Sequence, residues 1–506
     1  MIKKHIPVLV VGLLIVLVAL AGGAVYGINK LIPSRKQMDL TEYYGQNADG
    51  EAALILGTEK LEEKALISGE DVYLPLDVVN GYLNQRYYWD SENKKILYAT
   101  PSSLTEETAS DKADGNVWLK DDTVYLKLDY VKKYTDIDSY IEQDPARVAI
   151  QYKFTNVETV TTKKDTVIRY RGGIKAPILS KLAKNTVLRL MNEGEDWDQV
   201  ATDDGYIGYI QKKKVSAVDT TDYERDFKTE SYTYLTMDEP VNLAWHQVTS
   251  TDANSYFADA VQNMTGVNVI SPTWFSVTDN SGNISSLASG EYVMQAHEKG
   301  LKVWGLVDNF TQDISTYEVL SKTSSRQNLV TQLVNAAVGA GIDGINVDFE
   351  SLSEGVGIHF LQFLRELSIQ CHANNLVLSV DNPVPEDFTS HYDRKEQGLV
   401  VDYVIIMGYD EHYVGSDAGS VASLPWVEQG VQDTIAEVTP ERTILAIPFY
   451  TRLWKTTGGA VTSEAIGMDE AQNVLSTNGV EVVWDGSVGQ NYATFEQDNS
   501  TYQIWL

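Results

Sequence analysis

From about residue 239 onward, short apolar runs alternate with amphipathic stretches at a nearly regular interval. The runs are "VNLAWHQV", "VNVISPTWFSV", "KVWGLVDN", "DGINVDFE", "LVLSVDNP", "YVIIMGYD" and "RTILAIPFY", beginning near residues 241, 267, 302, 343, 376, 403 and 442. Between them, stretches such as "LVTQLVNAAVGAG" and "FLQFLRELSIQCHANN" carry apolar residues at helical spacing. Strand, helix, strand at this interval predicts a parallel sheet covered on its outer face. Seven such strands over about 200 residues predict a (β/α)8 barrel rather than an open sheet. Polar and aromatic residues gather at the predicted strand ends, as Glu350, Asn382, Asp410 and Tyr450, the barrel face on which active sites are built.

Upstream, "DVYLPLDVVNGYLNQRYYWD" from Asp71 repeats as "TVYLKLDYVKKYTDIDSYIE" from Thr123, with Val72 over Val124, Leu76 over Leu128, Asp77 over Asp129 and Tyr82 over Tyr134. Each copy reads as an alternating strand, a helix opened at the aspartate, and a further strand such as "KKILYAT" or "RVAIQY". Residues 66–155 are therefore expected to form a duplicated α+β domain, after a polar, acidic spacer over 37–65. Over 160–218 the pattern changes to short strands and turns, predicting a small β-barrel with Gly205 and Gly208 at tight turns or a corner. Trp197 and Tyr206 are expected in its core.

The first 36 residues form a separate element. "MIKKH" precedes "IPVLVVGLLIVLVALAGGAVYGI", 23 residues without a charge. A bilayer span needs about 20 such residues. Apolar residues continue past the small-residue triplet Ala19-Leu20-Ala21, so a retained transmembrane anchor is expected, with a cleaved secretion signal as the alternative. Lysines and arginines flank it on both sides, so its orientation is set by the character of the domains beyond it.

The formal net charge of −31 argues against nucleic acid as a partner, since phosphate binding needs a basic stripe. No glycine loop suited to cradling phosphates is present, so no nucleotide is expected. Cys371 is the only cysteine, so no disulfide can form within the chain. Six of the seven histidines lie in the barrel segment without metal-ligand spacing; His246, His297 and His412 are read as packing or surface residues. Neither a metal nor a cofactor is expected.

Within "DGINVDFE" side chains alternate between faces, so Gly344, Asn346, Asp348 and Glu350 point one way and Ile345, Val347 and Phe349 the other. The apolar set is expected against helices and the polar set toward the barrel interior. A purely structural acid cluster would need a cationic partner, and no Arg or Lys lies inside the neighbouring predicted strands. Two carboxylates this close in a low dielectric cannot both ionise easily. The expected outcome is a protonated outer Glu350 beside a charged inner Asp348, the division that glycoside hydrolysis requires.

"DGINVDFE" resembles the D-G-x-x-x-D-x-E signature of glycoside hydrolase family 18, the chitinase-like barrels. The resemblance extends to "MGYD" (Met407 to Asp410), expected on the sixth strand, and "IPFY" (Ile447 to Tyr450), expected on the seventh. It covers about 270 residues, 236–506, and the "NVDFE" form and domain order resemble the spore-germination and cortex-lytic branch. Residues 160–218 resemble a bacterial Src-homology-3-like domain, through "VIRYRG", "EDWDQV" and "DGYIGYI"; such modules often dock cell-wall peptides. The repeat resembles the stalk domain named after the amino terminus of copper amine oxidases, but no histidine lies between residues 6 and 245, so no copper site is implied.

The family resemblance implies a substrate-assisted retaining mechanism. Glu350 would protonate the leaving glycosidic oxygen while the sugar's own 2-acetamido oxygen attacks the anomeric carbon. Asp348 would orient the acetamide, Tyr409 would hydrogen-bond its oxygen, and Met407, Asp410, Tyr450 and Trp274 would shape the subsite. Many family members carry Asp where this chain has Asn346; Asn346 is expected to hydrogen-bond Asp348 and to alter the pH dependence. A small insertion subdomain is expected over about 455–506. No final helix and eighth strand precede Leu506, so a barrel lacking its last strand is expected, with the intact protein continuing further. The implied substrate is an N-acetylglucosamine-containing wall glycan, peptidoglycan first and chitin as alternative, reached by an extracytoplasmic catalytic part tethered to the membrane. A scaffold that binds wall glycan without cutting it is the other class.

Overall fold

In a computed structural model, residues 30–506 are described, together with Val11 and Leu14. The apolar segment 6–28 expected to cross a membrane lies, but for those two residues, outside the described residues. Among the described residues no helix is long and apolar enough to do so. The chain divides into two compact units: Met1–Tyr87 with Glu107–Thr229, and Tyr88–Glu106 with Glu230–Leu506. Tyr88–Glu106, within the span expected for the duplicated domain, thus belongs with the second unit, as part of a three-stranded sheet.

In the first unit the opening strands of the two copies pair, but the closing strands part: Ala146–Gln151 joins a seven-stranded sheet and Lys95–Ala99 a three-stranded one. Strands Asp71–Pro75 and Thr123–Lys127 pair antiparallel with Leu74 opposite Leu126, which are also equivalent positions of the two copies. Such a register places a local twofold axis through that pair. Residues 157–221 form an antiparallel sheet of seven strands over a core of Val160, Ile168, Leu188, Val200 and Ile210. Gly205 adopts φ +89°, and a Cβ on Gly208 would lie 2.5 Å from the Arg169 carbonyl oxygen, so both glycines are required. Trp197 is only half-buried and backs onto Gly172, outside that core, and Tyr206 packs at its edge, half-buried, which corrects the expectation for both.

The second unit carries the predicted parallel sheet. Its strands are β1 (Leu243–His246), β2 (Val269–Val277), β3 (Lys302–Asp308), β4 (Gly344–Asp348), β5 (Val377–Pro383), β6 (Tyr403–Met407) and β7 (Thr443–Ala446). They pair in chain order, with β1 and β7 as the outer strands of the path. "IPFY" is not part of β7, which ends at Ala446. Tyr450 instead opens β8 (Tyr450–Thr457), in a separate antiparallel sheet of five strands.

Helices α1 (Gly290–Glu298), α2 (Thr323–Ala340), α3 (Glu354–Ala373) and α4 (Arg394–Val400) cover the outer face of β2–β6. Outward residues Ile345, Val347 and Phe349 are fully buried there, and Phe349 stacks on Phe363 with ring centroids 5.5 Å apart. The amino-terminal end of the barrel interior is plugged by Trp304 and Tyr403, whose rings lie 5.4 Å apart. That plug explains Gly344, where a Cβ would come within 2.8 Å of the Trp304 ring and 2.7 Å of the Val377 carbonyl oxygen.

The three-stranded sheet of the second unit docks through Tyr88, whose hydroxyl lies 2.8 Å from His359 Nδ1 and receives a 3.2 Å hydrogen bond from the buried Arg326. Arg326 also pairs with Glu366 on α3 at 2.9 Å.

Phe349→Ala should lower stability by about 3–5 kcal/mol through the lost transfer energy and the cavity left behind. It is read as a lower urea midpoint at unchanged slope, and an unchanged midpoint would show that the outward face of β4 is not packed as described.

Candidate active site

The interior of the sheet is built in layers. Above the Trp304 plug sits the amide of Asn346, fully buried and fully hydrogen-bonded. Its Oδ1 accepts from Trp245 Nε1 at 2.9 Å and Ser271 Oγ at 3.2 Å. Its Nδ2 donates to Ser379 Oγ at 3.1 Å and Asp381 Oδ1 at 2.8 Å. An indole nitrogen can only donate, so the amide has one permissible orientation and Nδ2 must face Asp381. The expected hydrogen bond from Asn346 to Asp348 is therefore not made; its partner is the acid on β5.

One step nearer the mouth lie Asp308, Asp348 and Asp381, at the carboxyl ends of β3, β4 and β5. Asp348 is half-buried, Asp381 is 1% exposed, and none of the three forms an ion pair with a lysine or arginine among the described residues. Asp308 receives hydrogen bonds from Ser276 Oγ at 3.0 Å and the Phe310 amide at 3.1 Å. Asp348 Oδ1 and Asp381 Oδ2 are buried without a partner. Lys302, at the start of β3, is engaged at the opposite end of the sheet, 2.9 Å from Asp343.

Glu350 lies two residues beyond β4, exposed at the mouth. Its backbone is held by the Asn309 side chain, which accepts from the Glu350 amide and donates to the Glu350 carbonyl, both at 3.0 Å. Asn309 also donates to Thr316 Oγ1 at 3.0 Å, so the clamp is itself braced. Asp410 takes φ +63°, a left-handed conformation that an aspartate tolerates better than most residues, and accepts a 2.6 Å hydrogen bond from the Tyr450 hydroxyl. The rings of Tyr409 and Tyr450 meet edge-on with centroids 6.2 Å apart. Met407, half-buried, ends β6 on the same face as Tyr403.

The electrostatics follow from burial without counter-charge. Desolvation, with Glu350 and Asp308 as like-charged neighbours, pushes the Asp348 carboxyl from 3.8 up to about 7. Asp381 is raised well above its ordinary value by burial and then by Asp348. Burial likewise raises Asp308, and burial followed by Asp410 raises Glu350. Glu350 is raised as expected, and the inner Asp348, expected to be charged, is raised as well. The inner carboxyls are at least as strongly driven to hold protons, because they are deeper. The Tyr409 and Tyr450 hydroxyls are raised too, mainly by burial, and stay neutral donors.

Of the predicted residues, Asn346, Asp348, Glu350, Met407, Tyr409, Asp410 and Tyr450 all come from the carboxyl-end side of the sheet. Trp274 does not join them. It is 1% exposed, donates to Asn254 Oδ1 at 2.9 Å and packs 5.0 Å from the Tyr292 ring in the core. Asn382 is also elsewhere, locked in a reciprocal pair with Gln397 at 2.7 and 3.1 Å. Sequence reasoning missed Asp308, Asp381, Asn309 and Trp245. Alternation within "KVWGLVDN" and "LVLSVDNP" was the available signal for the two acids, and nothing local marks the other two.

The family model for glycosyl hydrolases family 18 matches residues 206–505. The uncharacterized glycosylase YvbX of Bacillus subtilis (strain 168) is 25% identical over 254 residues, 48% of this chain and 73% of that protein. A cortical fragment-lytic enzyme of Bacillus anthracis is 22% identical over 206 residues, 39% of this chain and 48% of that protein. Among solved structures, a chitinase from Chromobacterium violaceum ATCC 12472 aligns with a TM-score of 0.47 at 21% identity, over 53% of this chain and 86% of that one.

A group whose folded pKa is raised binds a proton that the unfolded chain has released. Its stabilising contribution is complete below about pH 4 and is lost as pH rises through about 7. The melting temperature should therefore fall between about pH 5 and 8 more steeply in the wild type than in Asp348→Asn. Parallel curves by differential scanning calorimetry would contradict the assignment.

Proposed function

The chain belongs to glycosyl hydrolase family 18, and on that premise we propose that it hydrolyses an N-acetylglucosamine-containing cell-wall glycan, peptidoglycan in the first instance, by substrate-assisted catalysis with retention. The observation that carries this reading is the pairing of a clamped, solvent-facing Glu350 with an inner Asp348 that has no cationic partner. Glu350, whose carboxyl is raised by burial and by Asp410, gives its proton to the leaving glycosidic oxygen. The substrate's acetamido oxygen attacks the anomeric carbon from the other side, so one outward acid suffices. Asp348 accepts from the acetamide N–H and offsets the positive charge that develops on the ring formed. Tyr409, a neutral donor, binds the acetamide oxygen, and Tyr450 with Asp410 lines the adjoining wall of the cleft.

The upstream segments fit delivery of this site to a wall substrate. Residues 6–28 would anchor the chain in the cell membrane as a single pass, with everything beyond it outside the cytoplasm. The stalk resembling a copper-amine-oxidase amino terminus would act as a spacer. The module over 160–218, resembling a Src-homology-3 fold, would hold wall peptide and raise the local concentration of glycan at the barrel. The name cortical fragment-lytic enzyme, borne by a relative, is in keeping with a wall glycan.

Glu350→Gln keeps the clamp, which uses only the backbone, and removes the proton. Turnover should drop by at least about a hundredfold while glycan is still retained. Purified peptidoglycan and chitin oligomers are digested in parallel and the products identified by mass. New N-acetylglucosamine reducing ends from peptidoglycan support the reading; release from chitin alone moves the substrate to chitin. Glycan retention by the wild type with no new reducing ends would overturn hydrolysis in favour of a scaffold.

A further inference from the structure

The buried face of β5 carries an acid that the mechanism above leaves unused. Asp381 has one carboxyl oxygen fixed by Asn346 Nδ2 at 2.8 Å and the other, Oδ2, without a partner. On the adjacent β4, Asp348 Oδ1 is also buried and unpartnered. The register pairs Asn346 with Ser379 and Val347 with Val380, so Asp348 and Asp381 stand side by side at the next rung. Adjacent strands are about 4.8 Å apart, which brings two inward carboxyls into mutual reach. Two carboxylate oxygens facing each other repel, whereas one proton between them satisfies both. The ionisable groups coupled to this pair are Asp308 from β3, Glu350 beyond β4, Tyr392 before α4 and Tyr409 beyond β6, and none brings a positive charge.

We propose that Asp381 is a positioning residue for the glycosidic reaction, its Oδ2 sharing a single proton with Oδ1 of Asp348 and so replacing the acid that Asn346 lacks. In the free enzyme the proton lies between the two oxygens, held no less by the deeper Asp381 than by Asp348. When the acetamide N–H arrives and positive charge grows beside Asp348, the proton shifts to Asp381 and Asp348 becomes the anionic acceptor. No proton leaves the site and none is taken up. The amide at 346 is matched to this arrangement, because it donates to Asp381 where an aspartate would have repelled it. The proposal rests on the glycosidase reading for its catalytic consequence but not for the shared proton itself.

Two arms on the full chain separate these. In the first, thermal stability is followed from about pH 5 to 8 for the wild type, Asp381→Asn, Asp348→Asn and the double variant. One shared proton makes each single variant lose most of the same pH dependence, with the double variant adding little. Additive losses, or a wild-type slope in Asp381→Asn, would overturn it. If Asp381→Asn does not fold, Asp348→Asn against the reciprocal exchange Asn346→Asp/Asp381→Asn carries the same comparison. In the second arm, on the glycan the wild type cuts, Asp381→Asn should lower kcat about tenfold or more. KM should stay within about twofold, and the pH profile should move by about a unit. The reciprocal exchange should regain most of that kcat, whereas Asn346→Asp alone crowds a further acid against Asp381 and should not raise it. An unshifted profile in Asp381→Asn, or no recovery in a folded exchange variant, overturns the positioning role. An inactive wild type with a shared-proton stability signature would overturn the glycosidase reading and leave the pair standing.

Discussion

Carboxyl groups removed from water without a neighbouring cation are costly to ionise, and at the mouth of this sheet Asp308, Asp348 and Asp381 share that condition. Elsewhere in the same unit the chain pairs its buried acids. Glu366 meets Arg326 and Glu396 meets Arg365, both at 2.9 Å. The fully buried Asp402 is met by His372 at 3.0 Å and by the Leu235 and Leu378 amides, so the acids at the mouth differ from these three in having neither a cation nor an imidazole beside them.

The rest of the barrel holds those acids still. The Trp304–Tyr403 plug closes the lower interior. The saturated Asn346 amide ties β1, β2, β4 and β5 together at one level. Phe349, just past β4, stacks on Phe363 and ties the strand to α3, and the Asn309 clamp fixes Glu350 after regular strand pairing has ended. A proton donor placed on irregular backbone needs such a brace, because without ladder hydrogen bonds a short segment has little to set its position.

Much of this was legible from periodicity. All seven parallel strands and the sidedness of "DGINVDFE" follow from alternation, since an inward Asn or Asp between outward Ile and Val has only one reading. Trp274 was misread because an aromatic near a strand end looks the same from sequence whether it faces ligand or core; its contact with Asn254, twenty positions away, decides it. Asn382 was misread because two consecutive polar residues at a strand end must point opposite ways, and only the Gln397 contact shows which. "IPFY" was carried one element too far, as an apolar run gives no sign of where a parallel strand yields to an antiparallel one. The raised carboxyl of the inner Asp348 was not legible, because it depends on burial, which spacing alone does not give.

The central claim is that an inner carboxyl of this cluster keeps its proton near neutrality. Infrared difference spectroscopy of the full chain reads this directly, through the carbonyl stretch of a protonated carboxylic acid, compared with Asp348→Asn and titrated from about pH 5 to 9. The account predicts a protonated-acid band that persists at about pH 6, loses intensity on titration through about 7 and is weakened or displaced in the variant. A wild-type spectrum in which every carboxyl is already ionised at about pH 6 would contradict it.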